Sequence, residues 1–261
     1  MIKLVVCDVD GTLLKKGEKE LSQHIKSKIK NLINKGIMFA VASGRAYHEL
    51  KRLFEDISDE IYYIPSDGGA VIYKEKTYYK KPILPFVMAN MVKPISLNEG
   101  LSLSVSGKYI TYILSADKDF IHLAEKNLNG HFVEIEDISE INEDIYKISF
   151  YGQPKSTFAN KILSGTYNSM LKRVYDEHGW NEFVAKQAGK ESAVECMMKS
   201  LKIKKEALAV IGDDINDVQM LGLTENSVAV TGSHQKAREA SKHKDISIET
   251  VLDNIIGKGE I

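Results

Sequence analysis

Two acidic residues, Asp8 and Asp10, close an apolar run from Ile2 to Val6 in the stretch Val5-Val6-Cys7-Asp8-Val9-Asp10-Gly11-Thr12. Such a run reads as a strand covered on both faces, and strands of that kind belong to parallel sheets whose carboxyl ends carry ligand sites. The near-alternate spacing lets both acids approach one centre where strand gives way to turn. Carboxylates that close repel each other, and one pKa rises unless a hard divalent cation or an anchored proton separates their roles. Asp-Gly-Thr also serves simply to end a strand, so the pair needs company before it means chemistry.

Company comes late in the chain. Asp213, Asp214 and Asp217, in Gly212-Asp213-Asp214-Ile215-Asn216-Asp217, follow the apolar run Ala207 to Ile211. Alone, this has the composition of an ordinary Asp-capped strand-to-helix turn. Joined to Asp8 and Asp10, it brings three or four carboxylates from separate strand ends to one place. That calls for a hard cation with oxygen ligands, and Mg2+ suits a site that also takes phosphate oxygens. Ser43 offers a hydroxyl, and the amides of Gly44 and Gly11 can approach an anion with no side chain between; Ser43-Gly44-Arg45 would equally serve as a helix cap. Lys190, in Ala188-Gly189-Lys190-Glu191-Ser192, begins a helix and can point its ammonium at the same centre. A lysine taken alone is most often a surface residue.

The elements that must hold these groups follow from periodicity. Leu21, Ile25, Ile29, Leu32 and Ile33 recur at helical spacing up to Gly36, and Ile37 to Ala42 forms a second apolar run, which completes a βαβ unit. Ser43-Gly44-Arg45 closes that second strand, and a helix is expected over 47–54. A further strand and hairpin are expected from 61–64, the turn Ser66-Asp67-Gly68-Gly69, and 70–73. From about Pro82 the texture changes, through Pro85 and Pro94, to short alternating strands (101–105, 109–114, 146–151) mixed with helices (117–128, 155–163), which suits an inserted α+β segment. The parallel style returns with a helix over 191–201, a strand over 207–211, a helix over 218–221, a strand over 227–230 and an amphipathic tail.

Composition narrows the function classes. The 261 residues carry 35 Lys+Arg against 36 Asp+Glu, a formal charge of −1 that gives no general field for nucleic acid, so an anionic ligand must be gripped locally. Cys7 and Cys196 both lie in apolar periodic segments and read as buried thiols of a reducing compartment. No apolar run approaches the roughly 20 residues of a membrane span. The expectation is a soluble cytoplasmic protein, monomer or homodimer, without nucleic-acid or membrane partners.

The order Asp-x-Asp-Gly-Thr, Ser-Gly-Arg, a lysine, then Gly-Asp-Asp-x-Asn-Asp resembles the haloacid dehalogenase superfamily of phosphatases, specifically its Cof-like branch. The resemblance implies an α/β fold: a Rossmann-like doubly wound parallel sheet core over 1–81 and 184–261, with an inserted α/β cap domain over 82–183 that sets substrate specificity. It implies that Asp8 is the nucleophile forming an aspartyl phosphate and that Asp10 is the acid and base, with its backbone carbonyl on the metal. Asp8 and Asp213 would supply carboxylate oxygens to Mg2+, and Asp217 would ligate through water or orient Lys190. Ser43 and Asn216, with Gly11 and Gly44, would hold phosphoryl oxygens, Lys190 would offset their charge, and Arg45 would face substrate or cap. The family usually has Lys-Gly at the third motif, where this chain reads Lys190-Glu191, and Lys186 competes for the role. Relatives commonly read Asn-Gly-Ala after the third strand, where this chain has Gly68-Gly69-Ala70 beside Asp67.

The implied substrate is a small phosphorylated metabolite, with sugar phosphates first. Pyridoxal phosphate or flavin mononucleotide, a phosphosugar mutase, and a silent phospho-ligand sensor stand as alternatives. In the cap, His122, His131, Tyr109, Tyr112, Arg173 and Trp180 are candidate contacts. Short connections near 81–84 and 181–185 are expected to hinge.

Overall fold

The computed structural model describes residues 1–15, 17–96, 100–114, 117–128, 131–152, 157–165, 167–177 and 179–261. Five strands open the chain: β1 (Leu4–Cys7), β2 (Met38–Ala42), β3 (Tyr62–Ile64), β4 (Ala70–Tyr73) and β5 (Lys76–Lys80). Six more follow, β6 (Leu101–Ser106), β7 (Thr111–Leu114), β8 (Phe132–Glu134), β9 (Lys147–Gly152), β10 (Leu171–Glu177) and β11 (Trp180–Ala185), before β12 (Leu208–Gly212), β13 (Ser227–Val230) and β14 (His243–Ile246). The strands form two sheets, and the chain divides into two compact units: 1–45, 50–80 and 189–261 in one, 46–49 and 81–188 in the other.

In the first unit the sheet order is β14-β13-β12-β1-β2-β3-β4-β5. Strands β14 to β3 are parallel, and β4 and β5 complete an antiparallel edge. This is the α/β sheet that the strand runs implied. The centre of the sheet is apolar on both faces because helices cover both. Leu4, Val6, Leu208 and Val210 join one buried cluster with Ala193, Val194 and Met197 of the helix Lys190–Leu201, while Val5 and Cys7, with side chains on the other face, are equally buried. The helix Gln23–Asn34 starts where the Ser22 hydroxyl accepts the Ile25 amide at 3.3 Å, buries Ile25, Ile29 and Leu32, and pairs Lys28 with Asp253 of the helix Ile248–Lys258.

Register decides what the sheet presents at its carboxyl edge. Cys7 lies level with Ile211 of β12 and with Val41 of β2, so Asp8, Gly212 and Ala42 come next on three adjoining strands. The Asp8 amide continues the ladder to the Ile211 carbonyl at 2.9 Å, and the Ser43 amide bonds the Ile64 carbonyl at 3.0 Å.

The second unit is a sheet of order β10-β11-β9-β6-β7-β8, antiparallel except for the β7–β8 pair, with the helices Pro85–Ser96, Lys118–Leu128 and Thr157–Leu163. Leu101, Leu103 and Val105 alternate into its main core with Ile148, Phe150 and Val184. Lys155 and Ser156, expected to open the last of these helices, lie outside the described residues. Residues 181–185 correct the expectation of a short hinge. They belong to β11, paired with β9 and β10, because Phe183, Val184 and Ala185 are buried in the core of this unit.

Both cysteines are free. Cys196, however, is only half-buried, against the expectation, because it flanks the stripe of Ala193, Val194 and Met197 that the helix turns inward.

Leu4 has no exposed surface and packs in the cluster shared by β1, β12 and the helix Lys190–Leu201. Leu4→Ala is expected to cost about 2–5 kcal/mol in chemical denaturation, through lost transfer energy plus an unfilled cavity.

Candidate active site

Three carboxylates from the carboxyl ends of β1 and β12 meet at one place. Asp8, Asp213 and Asp217 each offer an oxygen within 4.8 Å of the others. Asp8 follows β1 directly. Asp213 and Asp217 are set by the turn after β12, where the Asp214 side chain accepts the Ile215 amide at 2.7 Å and starts a short 3-10 segment, Ile215–Asp217. Asp217 folds back under that turn. Its Oδ2 accepts the amides of Asp213 at 2.9 Å and Asp214 at 3.2 Å, and its Oδ1 accepts from Lys190 Nζ at 2.7 Å.

Lys190 is the counter-ion of the cluster. Only 2 % exposed, it donates to Asp8 Oδ1 at 2.6 Å as well as to Asp217. Lys186, the competing candidate, is exposed. The approach to Lys190 depends on two glycines in contact. Gly68, at φ +90°, follows β3 so closely that a Cβ there would stand 2.1 Å from the Gly189 carbonyl oxygen, and Gly189 is the residue that starts the Lys190 helix. This gives the Gly68 departure from the family pattern a structural reason.

The electrostatics follow from one ammonium among several buried acids. Burial, then the charge of Asp217, pushes the Asp8 carboxyl well above its ordinary range, with Lys190 pulling the other way. Burial alone would lower the Lys190 value, but Asp217 and Asp8 hold its proton on and raise it above that of an ordinary lysine. Asp213 is pushed up to about 6, chiefly by burial, against a hydrogen bond from the Thr12 hydroxyl at 2.6 Å. Burial, reinforced by Asp8, raises the Cys7 thiol well above its usual range, so it stays protonated and inert.

The donor set fits a hard divalent cation: every donor is a carboxylate oxygen, and three acids face one ammonium. Gly11 keeps the approach to Asp213 open, since at φ +95° a Cβ there would lie 2.1 Å from Asp213 Oδ2.

The Asp10 carboxylate stands apart from the three. Its side chain is 53 % exposed and receives a two-pronged pair from Arg45, Nε to Oδ2 at 2.8 Å and a terminal guanidinium nitrogen to Oδ1 at 2.6 Å. Ser43, buried, accepts the Arg45 amide at 3.1 Å on its hydroxyl. Asn216 reaches Asp67 instead, Nδ2 to Oδ1 at 3.0 Å, and the Asp67 amide bonds the Ser43 carbonyl at 2.9 Å. Gly44 lies against the same carboxylate, a Cβ there falling 3.2 Å from Asp67 Oδ2.

Sequence reasoning missed Thr12 and Asp67 as members of the site. Thr12 was visible in the first motif, and Asp67 as a carboxylate in a turn closing a third strand. Asp67 sits at φ +52° and is buried, linking the Ser43 and Asn216 segments.

Residues 5–250 match the family model for haloacid dehalogenase-like hydrolases, and the chain belongs to that family. It is 22 % identical, over 97 % of its length and 95 % of the relative's, to an Escherichia coli protein named 5-amino-6-(5-phospho-D-ribitylamino)uracil phosphatase YbjI. It is 24 % identical to the phosphatase YwpJ of Bacillus subtilis, over 90 % of this chain and 91 % of that one. Among crystal structures, a Eubacterium rectale protein superposes with a TM-score of 0.87 at 23 % identity, covering 97 % of this chain and 99 % of the other. TM0651 of Thermotoga maritima superposes at 0.82 and 24 % identity, covering 98 % of each. The protein is a phosphatase of this family. Among the described residues no helix is long and apolar enough to cross a membrane.

Two outcomes follow from the charge balance. Asp213 has a folded value of about 6, above the ordinary carboxylate value, so its contribution to stability is fully present below about pH 4 and lost as pH rises through 6. In EDTA, Asp213→Asn, which keeps an acceptor for Thr12, is therefore expected to gain about 2–4 °C in Tm on the wild type between pH 4 and pH 7. Lys190→Met leaves Asp8 and Asp217 buried without their cation and is expected to lose about 3–5 kcal/mol in urea denaturation at pH 7.

Proposed function

We propose that this phosphatase is a Mg2+-dependent phosphomonoesterase of small phosphorylated metabolites, sugar phosphates first, working through an aspartyl phosphate on Asp8. The observation that carries the reading is the buried Lys190 bridge. It fixes Asp8 through Oδ1, and among the described residues no hydrogen bond is made to Oδ2 at the carboxyl edge of the sheet. A nucleophile must be held and kept anionic against its own burial, and Lys190 supports both.

In this reading Asp8 Oδ2 attacks phosphorus and the bond to the leaving oxygen breaks. Asp10 gives that oxygen a proton, then takes one from the water that hydrolyses the aspartyl phosphate, which returns Asp8 and releases inorganic phosphate. Asp8, Asp213 and Asp217 would hold Mg2+, which supplies charge neutralisation to the phosphoryl oxygens when bound. Arg45 holds both Asp10 oxygens, so the pair opens before Asp10 reaches the leaving oxygen. Ser43, Gly44 and Gly11 would cradle phosphoryl oxygens, with Asn216 released from Asp67 to join them.

A particular substrate is favoured by the relatives. Two of them, from Escherichia coli and Bacillus subtilis, are named phosphatases of 5-amino-6-(5-phospho-D-ribitylamino)uracil, a ribityl phosphate attached to a flat ring. That compound belongs in the assay beside simple sugar phosphates, pyridoxal phosphate and flavin mononucleotide.

Phosphate release from this panel and from p-nitrophenyl phosphate is expected to need Mg2+, to stop in EDTA, and to fall at least 10³-fold in Asp8→Asn, as for loss of a covalent nucleophile. Turnover that survives in Asp8→Asn would overturn the aspartyl-phosphate route.

A further inference from the structure

Among the described residues three acids are buried, Asp8, Asp217 and Asp67, and the phosphoryl-transfer steps use only the first two. Asp67 sits in the turn between β3 and β4, where Ser66 at φ +50°, Asp67 at φ +52° and Gly68 at φ +90° follow one another in the left-handed region. That conformation costs a residue with a side chain about 1–2 kcal/mol, so two in succession call for a structure that holds them. The holding bonds run to the segment after β2. The Ser66 amide donates to the Arg45 carbonyl at 2.9 Å, and the Asp67 amide to the Ser43 carbonyl at 2.9 Å.

The carboxylate so held borders the groups assigned to the phosphoryl oxygens. Its Oδ1 accepts Asn216 Nδ2 at 3.0 Å. Its Oδ2 lies where a Cβ on Gly44 would come within 3.2 Å, so it faces the Gly44 backbone. Against burial, Asp217, Asp8 and then Asp67 hold the proton on Lys190. Among the described residues, however, no cation bonds Asp67, and its one side-chain hydrogen bond is to the neutral Asn216 amide.

We infer that Asp67 is a positioning residue that competes with the phosphoryl group for Asn216 and so limits how tightly the site holds inorganic phosphate; the inference rests on the phosphomonoesterase reading. A carboxylate only accepts, and an amide donating to it makes a charge-assisted bond, roughly twice as strong as one to a neutral acceptor. A phosphoryl oxygen therefore has to draw Asn216 away from a charged acceptor, or share its amide with one against like-charge repulsion. The opposition acts on substrate and product alike, since both bring a phosphate to Asn216. For a hydrolase this matters after the chemistry. Product release sets the turnover of many enzymes, and binding that is equal in substrate and transition state gives no acceleration. A turn whose task was only to join β3 to β4 would have no need of a buried charge, since Asn or Gly takes up left-handed backbone without one.

Calorimetric titration with inorganic phosphate, in the presence of Mg2+, reads the competition directly. Asp67→Asn keeps the shape and suits φ +52°, but it replaces the charged acceptor by a neutral one. Its dissociation constant for phosphate is expected to fall about tenfold below that of the wild type, the scale of one like charge removed from the border of an anion site. Inhibition of p-nitrophenyl phosphate hydrolysis by phosphate should tighten by the same factor. A carboxylate that served only to brace the turn predicts the opposite sign, because a loosened turn would bind phosphate more weakly. With Asn216→Ala in place, the gain from Asp67→Asn should shrink to about threefold, since the contested amide is gone. An unchanged or raised dissociation constant in folded Asp67→Asn, an undiminished gain beside Asn216→Ala, or a wild type that binds no phosphate would overturn the inference. Where Asp67→Asn does not fold, Asp67→Gly, equally suited to positive φ, is titrated in its place. If the wild type hydrolyses no substrate, p-nitrophenyl phosphate included, the phosphomonoesterase reading fails, and the calorimetric sign still decides the role of Asp67.

Discussion

One ammonium inside an acidic cluster governs the unit built on the eight-stranded sheet. Asp8 and Asp217 are both buried, and two unpaired carboxylates so placed would be too costly to keep ionised. Lys190 lowers that cost by bonding one oxygen of each, and it is brought there by a turn of glycines that lets two backbone segments nearly touch. Three separate pieces of chain are thereby fixed to one point: the end of β1, the turn after β12, and the start of the helix Lys190–Leu201. The excess of acid over base that remains suits the place to a divalent cation.

The parallel sheet supplies the alignment that a single ion pair cannot. Because β12, β1 and β2 are in register, residues far apart in sequence end at the same level, and each strand contributes a different function. β1 ends in a carboxylate, β2 in a hydroxyl and β12 in a turn that aims two further acids. The apolar strand interiors carry no chemistry, but they are buried on both faces, which pins the register and so the spacing of the ends.

Much of this was legible in the sequence, and the reasons for the gaps are physical. The runs before Asp8, Ser43 and Asp213 announce buried strands, and the acids after them announce ligand edges. Asp67 escaped notice because its role depends on a left-handed backbone and on contacts with segments distant in sequence. The helix Pro85–Ser96 was hidden by its prolines: Pro85 stands at the first helical position, where the missing amide costs nothing, yet in sequence it reads as a breaker. β10 and β11 were obscured by charged residues such as Lys172, Asp176 and Glu182, which interrupt the apolar alternation. The pairing of Asp10 with Arg45 is a conformational matter that residue spacing does not encode.

The two outermost strands of the eight-stranded sheet have a consequence for aggregation. β5 reads Lys-Thr-Tyr-Tyr-Lys with both lysines exposed, and β14 at the opposite border reads His-Lys-Asp-Ile, with Asp245 in a left-handed conformation and a register break where β13 meets it. An unpaired strand border is a template on which a second molecule can add its own strand. Here one border is guarded by like charges and the other is bent out of line. The sheet's length is thus capped at both ends, and the apolar strands at its centre are kept out of intermolecular pairing.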